Sequence, residues 1–148
     1  MATEREALVG SLEMQRTGVL RIVKALPRSA LRSSVVPTGW TPLGMLQHLT
    51  LNERYWFRWG VAGEELPGVD IVDGHCRIVL DDMPNPDDEW TVAPHLTPET
   101  VIDRYRTEIE RANAAITAAG LEDPPRHYDG WWTGSGTASS VSAGSCCT

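Results

Sequence analysis

The chain has 148 residues with 41% hydrophobic and 22% charged side chains, which is typical of one globular domain with its own core. Its formal net charge of −7 disfavours nucleic acid and anionic membranes as partners, because both require a basic face on the protein. No stretch approaches the roughly 18 apolar residues of a membrane span, and no signal-like apolar segment stands at the N-terminus, so we expect no membrane partner and a cytoplasmic location.

The first predicted helix begins with a capping box. Thr3 and Glu6 have the spacing at which a hydroxyl and a carboxylate bond to each other's exposed backbone N–H groups. A stripe of apolar residues follows at helical intervals and consists of Leu8, Leu12, Val19, Ile22, Val23 and Leu26. Pro27 ends the helix, and the stripe is expected to be its buried face.

The central helix is predicted between Thr41 and Gly63. Thr41 supplies a hydroxyl N-cap, Pro42 fits the first helical position, and Gly63 suits the left-handed residue that follows a helix. The residues between them are apolar on most of the circumference. This pattern indicates a helix that is buried on nearly all sides.

Residues 64–96 are the least regular part of the sequence and are rich in proline and aspartate. Val69–Val72 and Cys76–Leu80 flank Asp73 and Gly74, a pair that favours tight turns, so we expect a small hairpin. A connection of this length usually has a functional reason in a compact domain. We therefore predict that it forms a lid or a pocket rim.

The third predicted helix begins at Thr97-Pro98, which repeats the start signal of the central helix, and stops at Gly120. Its apolar face consists of Val101, Tyr105, Ile109, Ala112 and Ile116. Arginines at 104, 106 and 111 alternate with glutamates at 108 and 110, which predicts a solvated face.

The final residues differ in composition from the rest of the chain. Residues 133–148 read TGSGTASSVSAGSCCT, without periodicity and with little apolar mass, so we expect disorder there. Three amphipathic helices close poorly on their own, because antiparallel helices usually bury their stripes in a bundle of four. The sequence therefore predicts an incomplete helical domain over residues 1–132, followed by a tail over residues 133–148.

His48 is the one polar residue deep within the central helix, and it is the candidate for inward-facing chemistry. At about 100° per residue, Asn52, Tyr55 and Trp59 lie close to the direction of His48, with Met45 beside them. This face predicts a pocket lined by an imidazole, an amide, a phenol and an indole.

Glu53 points away from His48 around the helix. We therefore expect Glu53 to form a buried hydrogen bond or salt bridge, with an arginine of another helix as its partner. His75, His95 and His127 fall in loops and are predicted to lie in solvent.

Four segments resemble the DinB-like superfamily of four-helix proteins and, within it, the branch called mini-circle protein. These segments are Val36–Trp40, Thr41–Leu49, Glu53–Phe57 and Thr97–Tyr105. The resemblance covers roughly residues 3–138. It implies an all-α, up-and-down helical bundle with three long helices here, the fourth helix being absent or replaced by the irregular tail.

The resemblance also implies a divalent metal, zinc or nickel, held by three histidines, and His48 matches the ligand from the second helix. The other ligands come from the fourth helix, where this sequence departs from the pattern. The implied function is a metal-dependent enzyme acting on a small-molecule substrate, a transferase or isomerase that uses a low-molecular-weight thiol such as mycothiol or bacillithiol. Because a catalytic zinc takes three protein ligands, we expect impaired activity in this chain.

Two alternatives stay open. In the first, the chain is a non-catalytic binding or interaction module whose partner is another molecule or a second copy in a homodimer. In the second, it is a non-functional truncated product. A frameshift between about Ser139 and Ala143 would explain the tail. Codons exist for residues 143–148 and a following stop that, when preceded by a C and read one base earlier, encode Arg-Trp-Val-Leu-Leu-His-Leu. That peptide resembles the start of the missing helix, and the codons of the gene decide the hypothesis.

Overall fold

A computed structural model describes residues 3–34, 36–72 and 75–127, and its regular structure is mostly helical. The elements follow one another as helix α1 (Glu4–Ala25), a 3₁₀ turn (Arg28–Ala30), helix α2 (Pro42–Glu53), a π-helical segment (Arg54–Val61), strands β1 (Val69–Val72) and β2 (His75–Ile78), and helix α3 (Pro98–Ala118). The prediction of an all-α fold with three long helices is confirmed. No helix in these ranges is long and apolar enough to cross a membrane.

Each of the three helices begins at a threonine cap, as predicted. The Thr3 hydroxyl accepts a hydrogen bond from the Glu6 N–H, and the Glu6 carboxylate accepts one from the Thr3 N–H at 2.7 Å. Thr41 caps α2 by accepting from the Gly44 N–H at 3.0 Å. Thr97 caps α3 in the same way. The start positions are therefore fixed by local side-chain chemistry.

The central helix ends at Gly63, which has a φ of +69°, as its sequence predicts. The second half of this helix differs from the prediction, because from Arg54 to Val61 it has π-helical turns. A π turn admits one extra residue and rotates the side chains that follow it.

Two apolar clusters fill the interior. The first joins the three helices and contains Val23, Leu31, Leu43, Leu46, Val92, Val101 and Tyr105. The second lies between the π segment and the hairpin and contains Leu51, Trp59, Leu66, Ile78, Leu80 and Met83. In the hairpin, Val69 lies opposite Ile78. Because Ile78, Leu80 and Met83 share this cluster with Leu51 and Trp59, the hairpin and the sequence after it cover the end of the central helix. The predicted hairpin is confirmed, while its turn residues 73 and 74 lie outside the described ranges.

Helix α1 buries less of its predicted stripe than expected. Val23 is buried, but Leu8 and Ile22 are 54% and 60% exposed. The inward side of α1 is occupied by Arg16 instead, whose guanidinium bonds to both carboxylate oxygens of Glu53 at 2.7 and 2.5 Å. The prediction that Glu53 pairs with an arginine of another helix is confirmed. Burial alone would lower the pKa of Arg16, but its hydrogen bonds to Glu53 raise the pKa above its ordinary value.

The predicted solvated face of α3 is wrong at Glu108, which is 1% exposed. Its two carboxylate oxygens accept hydrogen bonds from Arg54 and Arg58 of the π segment, each at 2.8 Å. The residue is buried because the π segment brings both arginines over α3. Residues 133–148, with the predicted disorder and the proposed frameshift, lie outside the described part of the chain.

Candidate functional site

A cavity of about 730 Å³ lies between α2, the π segment, β2 and the loop before residue 91. From the helical side it is lined by His48, Asn52, Tyr55 and Trp56. The opposite side is lined mainly by Cys76, Arg77, Asp87, Glu89 and Trp90. The long irregular connection thus supplies one wall of the cavity, which agrees with its predicted place at a pocket rim.

Both ring nitrogens of His48 are hydrogen-bonded. Nδ1 lies 2.8 Å from a carboxylate oxygen of Glu89, and Nε2 lies 2.8 Å from the side-chain nitrogen of Asn52. A carboxylate accepts and an amide nitrogen donates, so the proton of the neutral ring is assigned to Nδ1 and the lone pair to Nε2. The ring also stacks on Trp90, with centroids 4.1 Å apart and an interplanar angle of 17°.

The loop that carries Glu89 is held directly against α2. The side-chain amide of Gln47 donates to the carbonyls of Glu89 and Thr91 at 2.8 and 3.0 Å. One turn earlier, Gly44 lets the carbonyl of Trp90 approach so closely that an added Cβ would lie 2.1 Å from its oxygen. These two residues fix the distance between the loop and α2, and with it the position of the Glu89 carboxylate relative to His48.

The π segment decides which aromatic rings face the cavity. Tyr55 and Trp56 line it and meet edge to face, with centroids 4.7 Å apart. Trp59 belongs to the second apolar cluster, and its ring stacks on that of Tyr55 with centroids 5.4 Å apart. Of the five residues predicted for the site, the structure brings His48, Asn52 and Tyr55 together around the cavity. Met45 and Trp59 are not part of its lining.

The charges across the cavity from His48 are paired. Arg77 belongs to the lining and bonds to Asp87 through one terminal nitrogen, while its other terminal nitrogen lies 3.0 Å from Asp70. Among the described lining residues Arg77 is the one arginine or lysine, whereas Asp87 and Glu89 are both acidic. The wall opposite α2 is therefore acidic on balance.

The remaining histidines lie elsewhere. His75 and His95 are exposed, as predicted. The solvent position predicted for His127 is wrong: its ring packs on Trp59 with centroids 5.1 Å apart, and Nδ1 is buried without a partner in the described part of the chain. The backbone explains this placement, because the N–H groups of Arg126 and His127 both donate to the Gly60 carbonyl of the π segment.

The sequence resemblance implies a metal ion, which needs a group of donor side chains. Within residues 3–34, 36–72 and 75–127, no three His, Cys, Asp or Glu side chains are grouped so as to hold a metal ion. His48 by itself has the surroundings of a ligand, because a carboxylate holds its second nitrogen. The described residues do not complete a site of three ligands, and His48 as a metal ligand stays a prediction.

Sequence reasoning missed Glu89, Trp90 and Trp56. The first two lie in the irregular connection, where no periodicity indicates which side chain faces inward. Trp56 faces the cavity because the π turns rotate it there, and helical spacing of 100° per residue favours Trp59 instead. The need of a metal-binding histidine for a carbonyl or carboxylate at its second nitrogen was the one signal that pointed towards a residue such as Glu89.

The fold and the cavity define a helical protein with a histidine–carboxylate pair opening on a space for a small molecule. The family model described as Mycothiol-S-transferase matches residues 7–143, and the chain belongs to this family. That family lies within the DinB-like superfamily, so the resemblance of the sequence to this superfamily is confirmed. The family is one of thiol-dependent transferases. Searches among curated proteins and among solved structures found no match.

Proposed function

We propose that this chain attaches a low-molecular-weight thiol, mycothiol, through its sulfur to a small-molecule electrophile in the cavity beside His48. The observation that carries the proposal is the pairing of His48 Nδ1 with Glu89, which directs the Nε2 lone pair towards Asn52 and the cavity. Family membership supports the choice of a thiol as cosubstrate.

His48 serves as the base for the thiol. A free thiol has a pKa near 8.5, so most of it is protonated at neutral pH, and the thiolate is the nucleophile. The S–H proton passes to Nε2 of His48, while Nδ1–H keeps its hydrogen bond to Glu89. The sulfur then forms a bond to the electrophilic carbon as the bond from that carbon to its leaving group breaks. The leaving group departs with the electron pair.

In the free protein, Asn52 occupies the hydrogen-bonding position at Nε2 of His48 that the thiol takes when it binds. Its side-chain nitrogen donates to Nε2 of His48 at 2.8 Å and to the His48 carbonyl at 3.1 Å. The bond to the carbonyl lies within the helix, so the amide keeps a partner when the thiol takes over the bond to Nε2. The displacement therefore frees one of the two amide N–H groups, on the side that lines the cavity, and leaves the other bonded.

A divalent metal at this site would need further ligands from residues outside the described ranges. If one binds, Nε2 of His48 is the donor atom that the cavity offers, and the metal would supply Lewis-acid stabilisation of the thiolate. The steps given above use the chain's own side chains.

The test is conjugation of mycothiol to chlorodinitrobenzene by the complete 148-residue chain, followed by mass spectrometry of the product and by the rate above the uncatalysed reaction. His48→Gln should lower the rate about 100-fold or more, because it removes the base. His95→Gln replaces an exposed histidine outside the cavity and should leave the rate unchanged. No conjugate from the unaltered chain, or equal rates in both variants, would refute the proposal.

Glu89 acts as a positioning residue in this scheme. Glu89→Gln should lower the rate roughly 10- to 100-fold, as is usual when the partner of a functional histidine is removed. The ¹⁵N chemical shifts of the His48 ring provide a second measurement, because the proton should then distribute between Nδ1 and Nε2. Unchanged shifts would mean that Glu89 does not determine the tautomer.

The non-catalytic alternative has one observation in its favour. Leu8, Met14 and Ile22 of α1 are between 54% and 66% exposed, which would suit contact with a second copy of the chain. A melting temperature that rises with protein concentration, in a preparation without transferase activity, would favour this interaction module. A preparation without activity and without self-association would favour the truncated product.

A further inference from the structure

We infer that the electrophile is a flat molecule without a negative charge, an inference that rests on the proposed transferase function and names the class of its second substrate. The observations that carry it are the aromatic walls of the cavity and the neutralised state of Arg77, the one arginine or lysine among the described lining residues.

Aromatic rings form walls on two sides of the cavity. Trp56 stands on the helical side, 43% exposed, and is braced edge to face by Tyr55. Trp90 stands on the loop side, where it is held between His48 and Trp40. Because His48 covers one face of Trp90, the flat apolar surface is offered chiefly by Trp56, whose fixed ring suits a planar electrophile at little cost in side-chain entropy.

Arg77 is not available to bind an anion. Its two terminal nitrogens are held by Asp87 and Asp70, and its Nε is buried from solvent without a partner in the described part of the chain. An anionic ligand would have to displace one of these carboxylates.

The remaining charge at the cavity also opposes an anion. Glu89 adds a second carboxylate to the lining, beside His48. Placing a negative group near two carboxylates costs electrostatic free energy that a neutral group of the same shape does not incur. The cavity thus discriminates by charge and accepts a neutral electrophile.

Chlorodinitrobenzoate and its carboxamide provide a matched pair, since they share ring, leaving group and size and differ in charge. With the complete chain and mycothiol, and after correction for the uncatalysed rates, kcat/KM should favour the carboxamide about tenfold or more. In the reaction C–S forms, C–Cl breaks, chloride leaves with the electron pair, and the thiol proton goes to His48. Equal values, or a preference for the benzoate, would overturn the inference.

Asp87→Asn tests the assigned cause. The variant leaves Arg77 with one carboxylate fewer, so the preference for the carboxamide should fall several-fold, chiefly through a lower KM for the benzoate. Asp103→Asn removes the same charge from an exposed position on α3, paired with Arg106, and should keep the preference. If both variants change the preference equally, the net charge of the protein is responsible and the assignment to Arg77 is wrong.

Binding of unreactive analogues separates this inference from the proposed function. Equilibrium dialysis of dinitrobenzamide and dinitrobenzoate, without thiol, needs no catalysis. Tighter binding of the amide supports the charge selectivity even if no conjugate forms, in which case the transferase proposal alone fails. Equal binding of the two analogues, tighter binding of the benzoate, or binding of neither would overturn the inference.

Discussion

Gly44 is the residue that permits the loop bearing Glu89 to touch α2. A Cβ at this position would lie 2.1 Å from the Trp90 carbonyl oxygen, well inside contact distance, and that oxygen belongs to the backbone. Gly44→Ala should therefore lower the free energy of unfolding by about 1–3 kcal/mol, the usual cost of overpacking. Because the loop must move, the pairing of His48 with Glu89 should weaken as well. Urea unfolding at neutral pH measures the first effect.

Gly18 provides the matched control for this substitution. It also lies within a helix, but a Cβ added there meets nothing within 4 Å. Gly18→Ala should stabilise the protein by roughly 0.5–1 kcal/mol, since alanine loses less backbone entropy on folding than glycine does. A loss of stability at Gly18, or none at Gly44, would contradict the packing described here.

Tyr105 makes the stability depend on alkaline pH. Burial and the nearby charge of Glu53 raise the pKa of Tyr105 to about 12, from its ordinary value of 10.0. Because the folded-state pKa is the higher one, this contribution to stability is complete below pH 10 and is lost as pH rises through about 12. Tyr105→Phe should flatten the fall in unfolding free energy across this alkaline range. Urea titrations at a series of pH values measure that fall. An unchanged slope would show that other groups cause it.

At the level of elements, Glu108 holds the π segment in place. Its carboxylate binds Arg54 and Arg58, while Arg58 also bonds to Glu64 at 2.8 Å. Glu108→Gln would leave two mostly buried guanidinium groups without their shared counter-charge, so the unfolding free energy should fall by about 3 kcal/mol. The π-helical turns should lose their fixed geometry, and the near-ultraviolet circular dichroism of Trp56 and Trp59 within them should therefore change.

Glu99→Gln is the control on the same helix. The pair of Glu99 with Arg28 has both side chains more than half exposed, and pairs of this kind contribute little. Its unfolding transition and its dichroism should match those of the unaltered chain. If Glu99→Gln had the larger effect, burial of the Glu108 pair could not be what holds the π segment.

The helices could be predicted because their limits depend on neighbouring residues. Thr3, Thr41 and Thr97 cap them through bonds within one turn, and Gly63 ends the second through its own backbone freedom. The π turns could not be predicted, because they coincide with partners such as Glu108 that lie about fifty residues further along the chain. Helical spacing therefore identified His48, Asn52 and Tyr55 at the cavity but favoured Trp59 over Trp56.

The wall opposite α2 was beyond prediction for a related reason. Glu89 and Trp90 lie in an irregular connection, and their position depends on Gln47 and Gly44 of another element. No local pattern encodes such a contact. Burial of Glu53 with an arginine could be anticipated because a carboxylate within an apolar helix needs a partner, although the sequence did not indicate Arg16 in particular.

At the scale of the whole molecule, α1 is attached by fewer buried groups than either of the other two helices. In its 22 residues only Arg16 and Val23 are buried, although Arg5 also bonds to the carbonyls of Ile116 and Ala119 at the end of α3. By contrast, α3 buries Val101, Tyr105, Glu108 and Ala112, among others, against α2 and the π segment. Stability should therefore be unevenly distributed among the helices.

Hydrogen exchange measures this distribution directly. Under native conditions the amides of α1 should exchange through an opening that costs less free energy than global unfolding, whereas those of α3 should approach the global value. Arg16→Gln should lower the protection of α1 further, because it breaks the bond from α1 to Glu53. Lys24→Gln, at an exposed position of the same helix, should not. If α1 exchanged as slowly as α3, the two helices would unfold as one cooperative unit, and the few buried groups of α1 would suffice to hold it.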